Sequence, residues 1–101
     1  MVYYMRMKDI YDVIISTPAL KDLKKNPLHI VKKLQSWVQS VGHDGLSEVR
    51  KIPGYHDEPL KGRRAGQRSI RLSKAYRAIY TIETDGSIKF IEVCEVNKHD
   101  Y

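Results

Sequence analysis

Apolar and polar positions along this chain change period twice, and those changes divide it into a strand, two helices and an antiparallel meander. From Tyr11 to Ser16 the run YDVIIS is short, β-branched and bounded by Thr17-Pro18, which predicts a buried strand. Thr17 is placed to cap a helix whose first position is Pro18, where a missing amide donor costs nothing. That helix runs roughly from Pro18 to Lys25 and is punctuated by Asn26-Pro27. Beyond it Leu28, Val31, Leu34, Val38 and Val41 recur at helical spacing, with Ile30 and Trp37 widening the stripe and Lys32, Lys33 and Gln35 facing outward. A second helix is therefore expected to end near Gly42.

The stretch from His43 to Gln67 loses any period. It holds four glycines, two prolines and, after Arg50, four lysines or arginines, and reads as a long loop of the kind that is usually functional or disordered. Period two then returns, predicting strands near Arg68 to Leu72, Tyr76 to Thr84 and Ile88 to Asn97, with Asp85-Gly86 as the hairpin signal between the last two. One strand, two helices and a three-strand antiparallel meander make an α+β fold with the helices on one sheet face. At 101 residues this is one domain with a single modest core.

Charge narrows the partners. Eighteen Lys and Arg against twelve Asp and Glu leave a formal +6, which favours an anionic partner such as nucleic acid or an acidic protein segment. The single cysteine, Cys94, lies in a predicted strand, so an intramolecular disulfide and a four-thiolate zinc site are excluded and a reduced structural thiol is expected. No apolar run approaches the roughly 20 residues a membrane span needs. The opening MVYYMRMKD lacks the apolar core of a secretory signal, and a cytoplasmic protein is expected, with no membrane partner.

The candidate chemistry lies in the last third and in the loop. On Arg68-Ser69-Ile70-Arg71-Leu72 the period of two puts Arg68, Ile70 and Leu72 on one face and Ser69 with Arg71 on the other. Arg77 opens the next strand among Tyr76, Ala78 and Ile79. A cation in such a strand calls for a phosphate or for a carboxylate partner, for which Glu92 or Glu95 of the neighbouring strand is available. The loop adds Lys61, Arg63 and Arg64. Any one of these cations is more often a solvated, solubilising residue than a ligand; the cluster is what points to phosphate. Among the histidines, His29 reads as a half-exposed helix residue and His43 as a helix-end cation. His56 sits in the loop beside Asp57 and Glu58, and is equally a site residue or a polar loop residue. His99 follows the last strand, with Tyr101 on the same side if the chain stays extended. An imidazole that titrates near neutrality, beside a phenol and a basic face, suits RNA cleavage without a metal. Such cleavage needs a base for the 2′-hydroxyl, cations for the phosphorane and an acid for the leaving oxygen. His56, Asp57 and Glu58 are adjacent but not at a metal-ligand spacing, Gly62-Arg63-Arg64-Ala65-Gly66 does not join a strand to a helix as a phosphate loop does, and no metal or cofactor is expected.

Four segments in order, Pro59-Leu60-Lys61-Gly62, Gln67-Arg68-Ser69-Ile70-Arg71-Leu72, Ala75-Tyr76-Arg77-Ala78-Ile79-Tyr80 and Lys98-His99-Asp100-Tyr101, resemble the RelE/HigB/ParE superfamily of bacterial toxins from toxin-antitoxin modules. The resemblance runs from Tyr11 to Tyr101. It implies a microbial ribonuclease-like sheet, entry into the ribosomal A site, cleavage of mRNA there, inhibition by a cognate antitoxin and a toxin-antitoxin hetero-oligomer. On it, Arg71 matches the basic residue of the strand after the loop and Arg77 the arginine that helps hold the scissile phosphate. His99 and Tyr101 match the C-terminal His and aromatic pair of the HigB, YoeB and YafQ branches. Lys61, Arg63, Arg64, Arg68, His56 and Lys98 are the expected RNA contacts. Ser69 stands where the RelE branch has a lysine, and no helix follows the last strand, so a histidine-based mechanism fits better than a lysine-rich one. The alternatives are a ParE-like gyrase poison and a module that only docks RNA or antitoxin.

Overall fold

A computed structural model describes residues 9–98. Strand β1 (Val13–Ile15) leads into helix α1 (Thr17–Lys25) and helix α2 (Leu28–Asp44), followed by the short helix α3 (Leu46–Val49). The two-residue strand β2 (Glu58–Pro59) comes next, then β3 (Arg68–Arg71), β4 (Tyr76–Asp85) and β5 (Ile88–Lys98). The five strands form one mixed sheet in the order β1-β5-β4-β3-β2, with β1 parallel to β5 and the other pairs antiparallel.

The α+β reading holds, with local corrections. The cap of α1 is Ser16 and not Thr17: the Ser16 hydroxyl accepts the Ala19 amide at 3.2 Å, and Pro18 occupies the first turn as expected. Helix α2 runs two residues past Gly42 and stops at Gly45, whose φ of 85° closes the helix by donating its N–H to the Val41 carbonyl at 2.9 Å. Only glycine fits there, because a Cβ would collide with the Asp9 carboxylate. That carboxylate accepts the amide and hydroxyl of Ser47 and so caps α3 from outside the helix. The hairpin turn falls one residue later than the Asp-Gly signal, with Gly86 (φ 61°) and Ser87 between the paired Asp85 and Ile88.

The buried stripe of α2 is Ile30, Leu34, Trp37 and Val41, whereas Leu28 is exposed. The residues expected to widen the stripe therefore belong to its centre. These side chains pack on Ile70, Ala78, Tyr80, Ile91, Val93 and Val96 of the sheet, with the Trp37 and Tyr80 rings 5.4 Å apart. Helix α1 packs beside β5 past the end of the short β1. Its Asp22 accepts the Val96 amide at 2.9 Å and Asn26 donates to the Val96 carbonyl at 3.2 Å, so two side chains do the work of the missing strand.

The stretch expected to be a long loop is the main departure. It contains α3, a 3-10 turn at Pro53–Tyr55, strand β2 and a second 3-10 turn at Gly62–Arg64. Strands β2 and β3 form a hairpin whose ladder continues through Leu60 N–H to the Gln67 carbonyl at 2.9 Å. Buried Tyr55, with the Lys33 ammonium 4.9 Å from its ring centre, anchors the start of this segment to α2.

A candidate phosphate-binding face

Pairing register sorts the cations of the sheet. Arg68 stands opposite Tyr80, Ile70 opposite Ala78, Ser69 opposite Ile79 and Arg71 opposite Arg77. Tyr80 and Ala78 belong to the helix-packed core, so Ser69, Arg71 and Arg77 lie on the far face of the sheet, away from the helices. Glu58, opposite Ser69, shares that face.

Arg77 is held at one end by Ser69, whose hydroxyl accepts from Nη1 at 2.8 Å, and by Glu58, whose Oε1 is 3.4 Å from the same nitrogen. The ion pair of Arg77 is thus with Glu58 of β2, where Glu92 or Glu95 of β5 was expected. Glu95 pairs with Arg64, which also donates to Gln67 at 2.7 Å, and Glu92 lies opposite Thr81 further along β4. Ser69 is fully buried. Arg71 has no ion-pair partner among the described residues, and its Nε is buried without a hydrogen-bond acceptor. Two guanidinium groups at directly opposed positions repel, and a buried donor left unmade costs about 1–3 kcal/mol. An oxyanion between them relieves both penalties, and a phosphate offers the oxygen count and planar edge that paired guanidinium forks match.

Arg68 does something else. Its Nε donates to Asp57 Oδ1 at 2.6 Å on the helix side of the sheet, and the Tyr80 hydroxyl donates to Asp57 Oδ2 at 2.5 Å. The Asp57 side chain is almost fully buried and that of Arg68 largely so. Burial, reinforced by the bond to Asp57, pushes the Tyr80 phenol up to about 12 against a smaller downward pull from Arg50. Burial draws the Arg68 guanidinium down, yet the Asp57 bond and charge outweigh it and the net direction is up. Arg68 is therefore part of a buried ionic network and turned away from Arg71 and Arg77.

The other expected site residues scatter. Lys61 and Arg63 are exposed in the β2–β3 hairpin. His56 is exposed and adopts the left-handed conformation, φ 45°, that ends the Pro53–Tyr55 turn. Lys98 pairs with Tyr76 at the end of β5. His99 and Tyr101 lie outside the described residues. Sequence reasoning passed over Glu58 and Asp57 as chemistry: the signal was an acidic pair directly before Pro59, where alternation sends adjacent carboxylates to opposite faces of an edge strand.

The fold has clear counterparts among solved structures. YafQ from E. coli strain BL21(DE3) superposes with a TM-score of 0.67 at 21% identity, covering 86% of this chain and 91% of that one. A YoeB/ParE toxin from Agrobacterium tumefaciens gives 0.63 at 21% identity, covering 88% and 99%. The RelBE2 toxin-antitoxin complex from Mycobacterium tuberculosis gives 0.56 at 26% identity, covering 89% and 99%. The chain has the RelE-like toxin fold. No protein-family model and no curated protein sequence matches the chain. The RelE-like fold accounts for the parallel β1 beside β5 and the helix pair on one face, with Arg71 and Arg77 on the other. Among the described residues no helix is long and apolar enough to cross a membrane, and no group of three or more His, Cys, Asp or Glu is placed to hold a metal ion.

Proposed function

We propose that this protein is the toxin of a toxin-antitoxin module and acts as a ribosome-dependent endoribonuclease, cutting mRNA in the A site by metal-independent acid-base chemistry until a cognate antitoxin neutralises it. The observation that carries the reading is the Arg71–Arg77 pair on the helix-free face, with the buried unmade donor of Arg71. Both arginines take the scissile phosphate and stabilise the charge that develops on it. Ser69 and Glu58 accept from the same nitrogen of Arg77 and hold its guanidinium on that face. His99 is proposed as the general base or acid and Tyr101 as its stacking or proton-transfer partner. Lys61, Arg63, Arg64 and Lys98 supply the surrounding positive field. An antitoxin partner is supported by the RelBE2 structure, which is a toxin-antitoxin complex.

Growth arrest on expression, combined with primer extension on translated mRNA, tests this. The expected result is arrest with discrete cleavage sites, both lost in a His99→Ala, Tyr101→Phe double variant. A fully toxic double variant, or arrest without mRNA cleavage, would overturn it and point to gyrase poisoning on the same fold.

A further inference from the structure

Strand β2 is only two residues long, and its first residue Glu58 accepts a hydrogen bond from Arg77 at an edge that, among the described residues, pairs with β3 alone. Two ladder positions, one of them a proline without an amide donor, do not by themselves fix such an edge. What fixes it is the residue before. Asp57 reaches through to the helix side and binds Arg68 of β3 and Tyr80 of β4, which stand opposite one another. One buried carboxylate thus ties the start of β2 to the next two strands. Tyr80 is immobilised in turn against Trp37. Because consecutive residues of an extended strand point to opposite faces, fixing Asp57 on the near side fixes Glu58 on the far side, against Arg77.

We propose that Asp57 is a positioning residue for the phosphate-binding face: its clamp on Arg68 and Tyr80 sets β2 so that Glu58 and Ser69 hold Arg77 beside Arg71. The catalytic part of this inference rests on the proposed RNA cleavage; the geometric part does not. A clamp of this kind acts on the rate with bound substrate more than on binding, since a misplacement of about 1 Å at a reacting group costs up to about 100-fold.

The test replaces Asp57 by Asn, which keeps the shape and one acceptor but removes the charge. A second variant, Asp57→Asn with Arg68→Gln, removes both charges so that no buried cation is left alone. For each, the Arg77 Nε–Hε resonance is followed by NMR in the free protein, and single-turnover mRNA cleavage is measured on ribosomes. The expected result is a displaced or broadened Arg77 resonance in both variants. The rate at saturating ribosome should fall between about 10- and 100-fold, with half-saturation changed by less than about 3-fold. An unmoved Arg77 resonance in a folded variant overturns the proposal, as does a rate within 2-fold of the parent. If neither variant folds, Glu58→Gln tests the same link from the far side: its Arg77 resonance must move, and an unmoved one overturns the proposal. Should the parent chain cut no mRNA, the functional reading fails while the resonance still decides the clamp.

Discussion

Arg68 and Arg71 sit on the same four-residue strand, carry the same guanidinium and differ in almost everything else. Arg68 points toward the helices, where it donates to a buried carboxylate that also accepts from a phenol. Arg71 points away from them, opposite a second arginine, with a buried donor unmade. A charge whose partners come with the fold stabilises the fold. A charge whose neighbour is another cation makes the folded state less stable, which suits the proposed role of meeting a phosphate. Residue type and composition do not separate these two cases; the parity of the strand does.

The sharpest way to break this comparison is to exchange the consequences. Arg71→Gln should lower mRNA cleavage on the ribosome by about 30- to 1000-fold, corresponding to about 2–4 kcal/mol of lost transition-state stabilisation, while the urea midpoint holds or rises. Arg68→Gln should do the reverse. It leaves Asp57 buried without its cation, costing on the order of 3 kcal/mol of stability, with a proportionate fall in urea midpoint. If both variants lose stability alike, or both lose only cleavage, the division between the two faces is wrong.

A smaller effect comes from Tyr80. Its pKa is raised to about 12 by burial and by the bond to Asp57, so the folded state favours the protonated phenol. The stability this contributes is fully present below pH 10 and is lost as pH rises from about 10 to 12. The loss reaches roughly 2–3 kcal/mol at the upper end of that range. Denaturant midpoints across that range should fall more steeply for the parent than for Tyr80→Phe; parallel slopes would remove Tyr80 from the network. Smallest is the cap of α3. Burial raises the pKa of Asp9, but the hydroxyl and amide of Ser47, the Ile10 amide and the Arg50 charge outweigh it and the net direction is down. Its contribution is therefore present above the ordinary carboxylate range and disappears as pH falls below it. Asp9→Asn should flatten that acid limb and change stability at neutral pH by about 1 kcal/mol or less.

The parts of the fold that were readable before the structure are those whose information is local. Helix α2 and strands β4 and β5 carry a period over ten residues or more, and the parity that separates Arg68 from Ser69 and Arg71 in the shorter β3 needs no tertiary contact. Strand β2 and helix α3 were unreadable because two and four residues cannot display a period. The cap of α1 went to Thr17 because two hydroxyl residues precede Pro18 and only the backbone geometry chooses Ser16. Asp57 and Glu58 were hidden for a different reason. Their roles depend on Arg68 and Arg77, brought 11 and 19 residues along the chain by the β2–β3 hairpin and the strand after it. A carboxylate beside a histidine in a glycine-rich stretch gives no sign of being buried. The reading of Arg77 as a residue with a need was sound in kind, and its carboxylate came from β2, across β3, and not from Glu92 or Glu95 of the neighbouring β5.

The pairing of β4 with β5 slips once, between Ile79, opposite Glu95, and Tyr80, opposite Val93. Cys94 is the extra residue, and it shifts the phase of everything that follows it. Before it, the odd positions Ile91 and Val93 are buried; after it, the even position Val96 is, and the odd positions Glu95 and Asn97 are not. Strand β5 thus reads out two alphabets with one residue as the shift key. Deleting that residue would close the bulge and let plain alternation run from Val93 through Glu95 to Val96, with Val93 and Val96 still in the core and Glu95 and Asn97 still outside it. At this point the strand tolerates a loss of length that elsewhere along it would exchange its two faces.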